Sequence, residues 1–164
     1  MRAICLASLL AISVSAVPTD LGPPPGGEHI PIWKRSAQEV IARLNLTANP
    51  EKGFFVETFR DADVGSNNRS ASTAIYYLLE GSAGSSLWHR VDAAEVWHYY
   101  AGSPLKLSLS HDDGKPLREK VIGPDVFDDQ VPQVVISKWE WQSARSMGDW
   151  TLVGTTGMSW ILSP

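Results

Sequence analysis

Two periodicities divide the chain. From Ser36 onward the apolar residues Val40, Ile41 and Leu44 recur at helical spacing. Ser36-Ala37-Gln38-Glu39 has the S-x-x-E form, in which the serine and glutamate side chains each satisfy a free backbone donor. A short amphipathic helix is expected to begin there and to end before Pro50. After Gly53 the period becomes two. Runs over residues 54–60, 73–79, 87–91, 96–100, 105–110, 117–122, 134–137 and 150–155 are rich in β-branched and aromatic residues, with Gly, Pro, Asp or Ser between them. Leu105 to Ser110 alternates strictly, which puts the leucines on one buried face, and Asp112-Asp113-Gly114 marks a hairpin turn after it. So many short strands predict an antiparallel sandwich or barrel.

The first 35 residues follow neither pattern. Arg2, an apolar stretch over residues 3–14 and the small-residue order Val14-Ser15-Ala16 predict a secretory signal peptide over residues 1–16. That apolar stretch is well short of the ~20 residues of a membrane-spanning helix, and no other segment is a candidate, so no membrane partner is expected. Residues 17–35, with Pro23-Pro24-Pro25-Gly26-Gly27, predict an extended leader. Residues 36–164 are then the folded domain, one unit in a chain of 164 residues. Hydrophobic residues at 43% can build a core, and a net charge of -4 gives no field to attract nucleic acid. Cleavage after Ala16 would remove Cys5, the only cysteine, so the mature chain must hold together without disulfides. The sequons at Asn45 and Asn68 suit a secreted glycoprotein.

The chemistry concentrates between Leu87 and Gly102. On a regular strand Glu95, Trp97 and Tyr99 share one face, while Val96, His98 and Tyr100 share the other. A carboxylate among inward aromatics costs several kcal/mol unless paired or hydrogen-bonded, which makes Glu95 a candidate for acid/base work or metal ligation. A surface position at the start of the strand is the competing reading.

The spacing His89-x5-Glu95-x6-Gly102 resembles the first motif of cupins, with Val91 where a second histidine stands. Ser137 to Gln142 resembles the second motif, with Gln142 at its histidine. The longer runs Asn49 to Arg60, Ser72 to Leu79, Trp88 to Val91, Glu95 to Gly102, Pro132 to Ile136, Trp141 to Arg145 and Gly148 to Gly154 closely resemble the cupin-5 family over roughly residues 36–155. The resemblance implies an all-β double-stranded β-helix, or jelly-roll barrel, commonly dimeric and related to sugar epimerases and storage proteins. Lys52 and Val56 depart from the family pattern, and Gly157 to Pro164 replaces its usual ending with an atypical or truncated C-terminus.

Two functions follow from these residues. One is an epimerase, isomerase or lyase with His89 and Glu95 as the acid/base pair in an aromatic pocket. The other is a binding or storage protein in which the same residues orient a ligand. Gln142, Glu57, Trp97 and Tyr99 are the candidate ligand-binding residues, with Glu57 equally suited to a surface edge strand and Gln142 to satisfying backbone groups. His98 faces away from Glu95 and suits an outer sheet or dimer interface. No cofactor is expected. His89, Glu95 and Gln142 are weak candidates for a divalent metal, because two of four usual ligands are replaced and a metal-dependent oxygenase ranks third.

Overall fold

The computed structural model describes residues 29–65, 68–157 and 162–163. The signal peptide and most of the leader lie outside these. In chain order the elements are α1 (Ala37–Leu44), β1 (Thr47–Ala48), β2 (Phe54–Arg60), β3 (Thr73–Glu80), β4 (Arg90–Val91), β5 (Glu95–Gly102), β6 (Leu105–Ser110), β7 (Arg118–Ile122), β8 (Gln133–Ile136), β9 (Trp141–Ser146), β10 (Trp150–Gly157) and β11 (Leu162–Ser163). A large sheet runs β1-β2-β3-β10-β5-β8, a smaller one runs β7-β6-β9, and β4 pairs with β11. Every named strand pair is antiparallel.

The inner faces of the two sheets meet in a single core. Ile75, Tyr77, Trp97 and Val153 of the large sheet pack with Leu105, Leu107, Leu109 and Ala144 of the small one. The strict alternation of β6 therefore does what its sequence predicts, burying all three leucines. Two antiparallel sheets closed over one core are the jelly-roll arrangement that the sequence resemblance implies.

The helix forms as its capping box requires. Ser36 Oγ accepts from the Glu39 amide at 3.3 Å, and Glu39 Oε2 accepts from the Ser36 amide at 2.9 Å. The helix closes at Asn45, which adopts a left-handed conformation. Val40 and Leu46 pack on Leu78, Trp150 and Leu152, a second cluster on the outer face of the large sheet. The Trp150 indole N–H donates to the Arg35 carbonyl at 2.9 Å and pins the segment before the helix. Residues 32–34 form a turn of 3-10 helix where an extended leader was expected.

Two expectations about strands need correction. The strand expected over 87–91 shrinks to Arg90–Val91, joined to its neighbour through a bridge between His89 and Gln142. Strand β9 was not expected at all. Its inward residues Gln142, Ala144 and Ser146 are polar or small, so it lacks the apolar alternation by which strands are recognised. It is stabilised by its register with β6, from Leu105 opposite Ser146 to Ser110 opposite Trp141.

Candidate functional site

Five segments converge on a cavity of about 30 Å³ at the inner face of the large sheet, lined among others by Glu51, Tyr77, His89, Glu95, Trp97 and Thr155. Each approaches by a different local device. Glu95 opens β5, opposite Ile136 of β8 and Gly157 of β10. Its side chain is 3% exposed. Both the Trp97 indole N–H, at 3.0 Å, and the Gln142 amide N–H, at 2.8 Å, donate to the same Glu95 oxygen, Oε2. These two bonds offset much of the cost of burying the carboxylate. Gln142 is itself fully buried and reaches from the small sheet to the large one, so the two motif residues of the sequence meet inside the barrel.

Glu51 arrives on a tight turn. Its amide donates to Asn49 Oδ1 at 2.9 Å, the Lys52 amide returns to the Asn49 carbonyl at 3.0 Å, and Gly53 follows in the left-handed region at φ 73°. A side chain at Gly53 would strike the Leu78 carbonyl and the Tyr77 ring. The Leu87 amide donates to the Glu51 carbonyl, and Lys52 Nζ donates to the Ala83 carbonyl, so the turn is fastened to the segment that carries His89.

His89 completes the group. Its Nδ1 lies 3.1 Å from the Leu87 carbonyl and 3.2 Å from Glu51 Oε2. A carbonyl oxygen only accepts, which assigns the proton to Nδ1 and leaves Nε2 as the nitrogen free to exchange one. Burial pushes the Glu51 carboxyl above its ordinary range, the His89 imidazole pulls it back, and the Glu95 carboxylate adds to the rise. Burial, helped by Glu51, drives the Tyr77 phenol well above the tyrosine range, and its hydroxyl donates to the Lys52 carbonyl at 3.1 Å. Two buried polar atoms, Gln142 Oε1 and Thr155 Oγ1, have no hydrogen-bond partner among the described residues.

The sequence-selected residues divide accordingly. His89, Glu95 and Trp97 line the cavity and Gln142 bonds to Glu95. Tyr99 packs against the core but turns its hydroxyl to the Gly102 carbonyl at 2.6 Å, away from the cavity lining. Glu57 is exposed and pairs with Arg60 at 2.6 Å, so it takes the surface role of its two readings. A register shift between Glu57 and Phe59 turns this end of β2 outward. His98 lies on the outer face, bonded to Thr156 at 3.0 Å and Gln133 at 3.2 Å. Asn45 and Asn68 are exposed. Glu51 and Tyr77 were not selected as site residues. The signal for Glu51 was available: the Asn-Pro-Glu-Lys-Gly run is a turn with one carboxylate, and it sits in the family-like segment.

Val91, buried where the motif's second histidine would stand, offers no donor, and Gln142 could ligate only through its unpartnered Oε1. Among the described residues no group of three or more His, Cys, Asp or Glu is placed to hold an ion.

Comparison with known proteins supports the fold. A family model described as "Cupin superfamily (DUF985)" matches residues 38–158. Among solved structures, a protein from Shewanella oneidensis is 26% identical, covering 77% of this chain and 80% of that one, with a TM-score of 0.70. A hypothetical protein from Leishmania major is 25% identical over 76% and 81%, with a TM-score of 0.68. The capsular polysaccharide assembling protein CapF from Staphylococcus aureus, 13% identical over 73% and 31% with a TM-score of 0.51, shares the fold alone. No curated protein matches the chain.

Proposed function

The chain belongs to the Cupin_5 family of the cupin superfamily, and on that premise we propose that it is a small-molecule enzyme performing proton transfer of the epimerase, isomerase or lyase type. The observation that supports this is the shared cavity of Glu51, His89 and Glu95, three titratable groups where a packed core would hold none. His89 Nε2 and Glu95 exchange the proton with substrate. Trp97 and Gln142 hold Glu95 in place. At about 30 Å³ the cavity has room for only about two water molecules, so only the small reacting end of a substrate enters.

The alternative reading is a non-catalytic binding or storage protein. It draws on the same locked carboxylate: Oε2 already accepts two N–H donors, which suits a fixed hydrogen-bonding post as well as a base. Native mass spectrometry for carried-over ligand, followed by a panel of sugars, keto acids and aromatic lactones, separates the two. Glu95→Gln keeps size and hydrogen-bonding capacity, so it should fold and bind but not turn substrate over. Unfolding of that variant would make Glu95 a structural anchor and defeat the site assignment. Binding without turnover by the unmodified protein would favour the alternative. We extend the proposal to secretion through residues 1–16, glycans at Asn45 and Asn68, and pairing of two chains through the outer sheet that carries His98.

A further inference from the structure

On the outer face of the small sheet lies a feature separate from the barrel cavity. The antiparallel bridge between His89 and Gln142 puts Arg90 opposite Trp141, β9 puts Trp141 opposite Ser110, and the register of β6 with β7 puts Ser110 opposite Leu117. A row of outward side chains therefore crosses four strand positions spaced ~4.8 Å apart. Trp88, Ser110, Asp112, Leu117 and Trp141 line an open groove of about 330 Å³ on this face. Trp88 and Trp139 are each 44% exposed. So much exposed indole in one place is unusual for surface that only meets water.

Two cations lie beside it. The Arg90 guanidinium stacks over Trp141 at 4.7 Å and Trp139 at 5.6 Å, and Lys138 lies over the Trp139 ring at 5.8 Å. Neither Arg90 nor Lys138 has a carboxylate partner among the described residues, and the buried Arg90 Nε has no hydrogen-bond acceptor there. Lys106, by contrast, pairs with Glu119 at 2.7 Å. An arginine lying over two rings, with no carboxylate partner among the described residues, is placed to take one from a ligand.

We propose that this face binds an acidic saccharide, a pyranose bearing a carboxylate. The flat C–H face of the ring rests in the groove between Trp88 and Trp141. Its hydroxyls meet Ser110 and Asp112, and its carboxylate takes the Arg90 fork with Lys138 as second cation. The row fixes this polarity, with the cation at one end and the hydroxyl and carboxylate groups of Ser110 and Asp112 towards the other.

The test uses the purified protein with three probes, trigalacturonate, neutral cellotriose and adenosine monophosphate, read by tryptophan fluorescence and by NMR. Trigalacturonate is expected to bind in the millimolar range or tighter, at least about tenfold better than cellotriose, and to weaken as salt rises. Arg90→Gln, Lys138→Gln and Trp88→Ala should each fold, as judged by circular dichroism, and the first and last should weaken trigalacturonate about tenfold or more. His89→Ala should leave that binding unchanged, which keeps failure here distinct from failure of the cavity proposal. The proposal is overturned if trigalacturonate does not bind at millimolar concentration, if cellotriose or the nucleotide binds equally well, or if binding survives both Arg90→Gln and Trp88→Ala. It is overturned equally if sedimentation shows that the aromatic face is consumed by a self-association that Trp88→Ala dissolves.

Discussion

Glu51 is in a conflict that pH exposes. Its carboxyl is raised by burial and by Glu95, while the nearby His89 opposes the rise. A carboxyl with a higher pKa in the folded chain than in the unfolded one makes the native state bind protons more readily. The stability it contributes is complete below the unfolded value and is lost as pH rises through the folded one. Glu51→Gln, which resembles the protonated acid, is therefore expected to melt above the parent at about pH 7, with the difference closing near pH 4. Melting curves at both values check it, and a lower melting temperature at both would mean that the contact with His89 outweighs desolvation. The replaced imidazoles yield a second expectation. With Val91 and Gln142 in place of histidines, elemental analysis should find far less than one transition metal per chain. Near-stoichiometric metal that disappears in His89→Ala would put metal chemistry ahead of proton transfer.

At the scale of elements, α1 is the part most exposed to local perturbation, because only Val40 of its residues is fully buried. Ser36→Ala removes the acceptor for the Glu39 amide and should cost about 1 kcal/mol, visible in a denaturant titration. The Ser36 amide and hydroxyl and the Arg35 guanidinium hold Glu39 down to about 2, so the capping carboxylate contributes above its unfolded value and fades as pH falls toward 2. The penalty of Ser36→Ala should shrink over the same range. The helix was legible because its capping box and its 3.6-residue period agree. The leucines of β6 were legible for a similar reason. Strand β9 was hidden, since polar residues that face a barrel interior carry no apolar period, and the bend at Glu57 depends on a bulge that no local pattern marks. Gly102 shows what a motif glycine is for: at φ 90° a side chain there would run into the Trp150 carbonyl.

Over the whole molecule, the two sheets share one core, so damage to either should be felt by both. Leu107→Ala, at a fully buried position of the small sheet, should cost about 2–5 kcal/mol and leave unfolding a single transition. Separate melting of the two sheets would contradict a common core. The site was half legible at this scale. His89, Glu95 and Gln142 could be selected from motif spacing, whereas the turn that brings Glu51 beside His89 joins residues 38 positions apart and exists only in the folded chain. The size of that core also decides what the chain needs in an oxidising compartment. A domain too small to bury enough apolar surface depends on cross-links in such a compartment, but this one fills the space between two sheets with leucine, isoleucine, valine and tryptophan. Its sole cysteine, Cys5, lies in the segment expected to be removed. Protein recovered from the medium of secreting cells is accordingly expected to begin at Val17 by mass spectrometry, and reducing agent should leave its melting temperature unchanged. Recovery with residues 1–16 intact would remove the secretory reading. A melting temperature lowered by reductant would require a disulfide, which a chain beginning at Val17 has no cysteine to form.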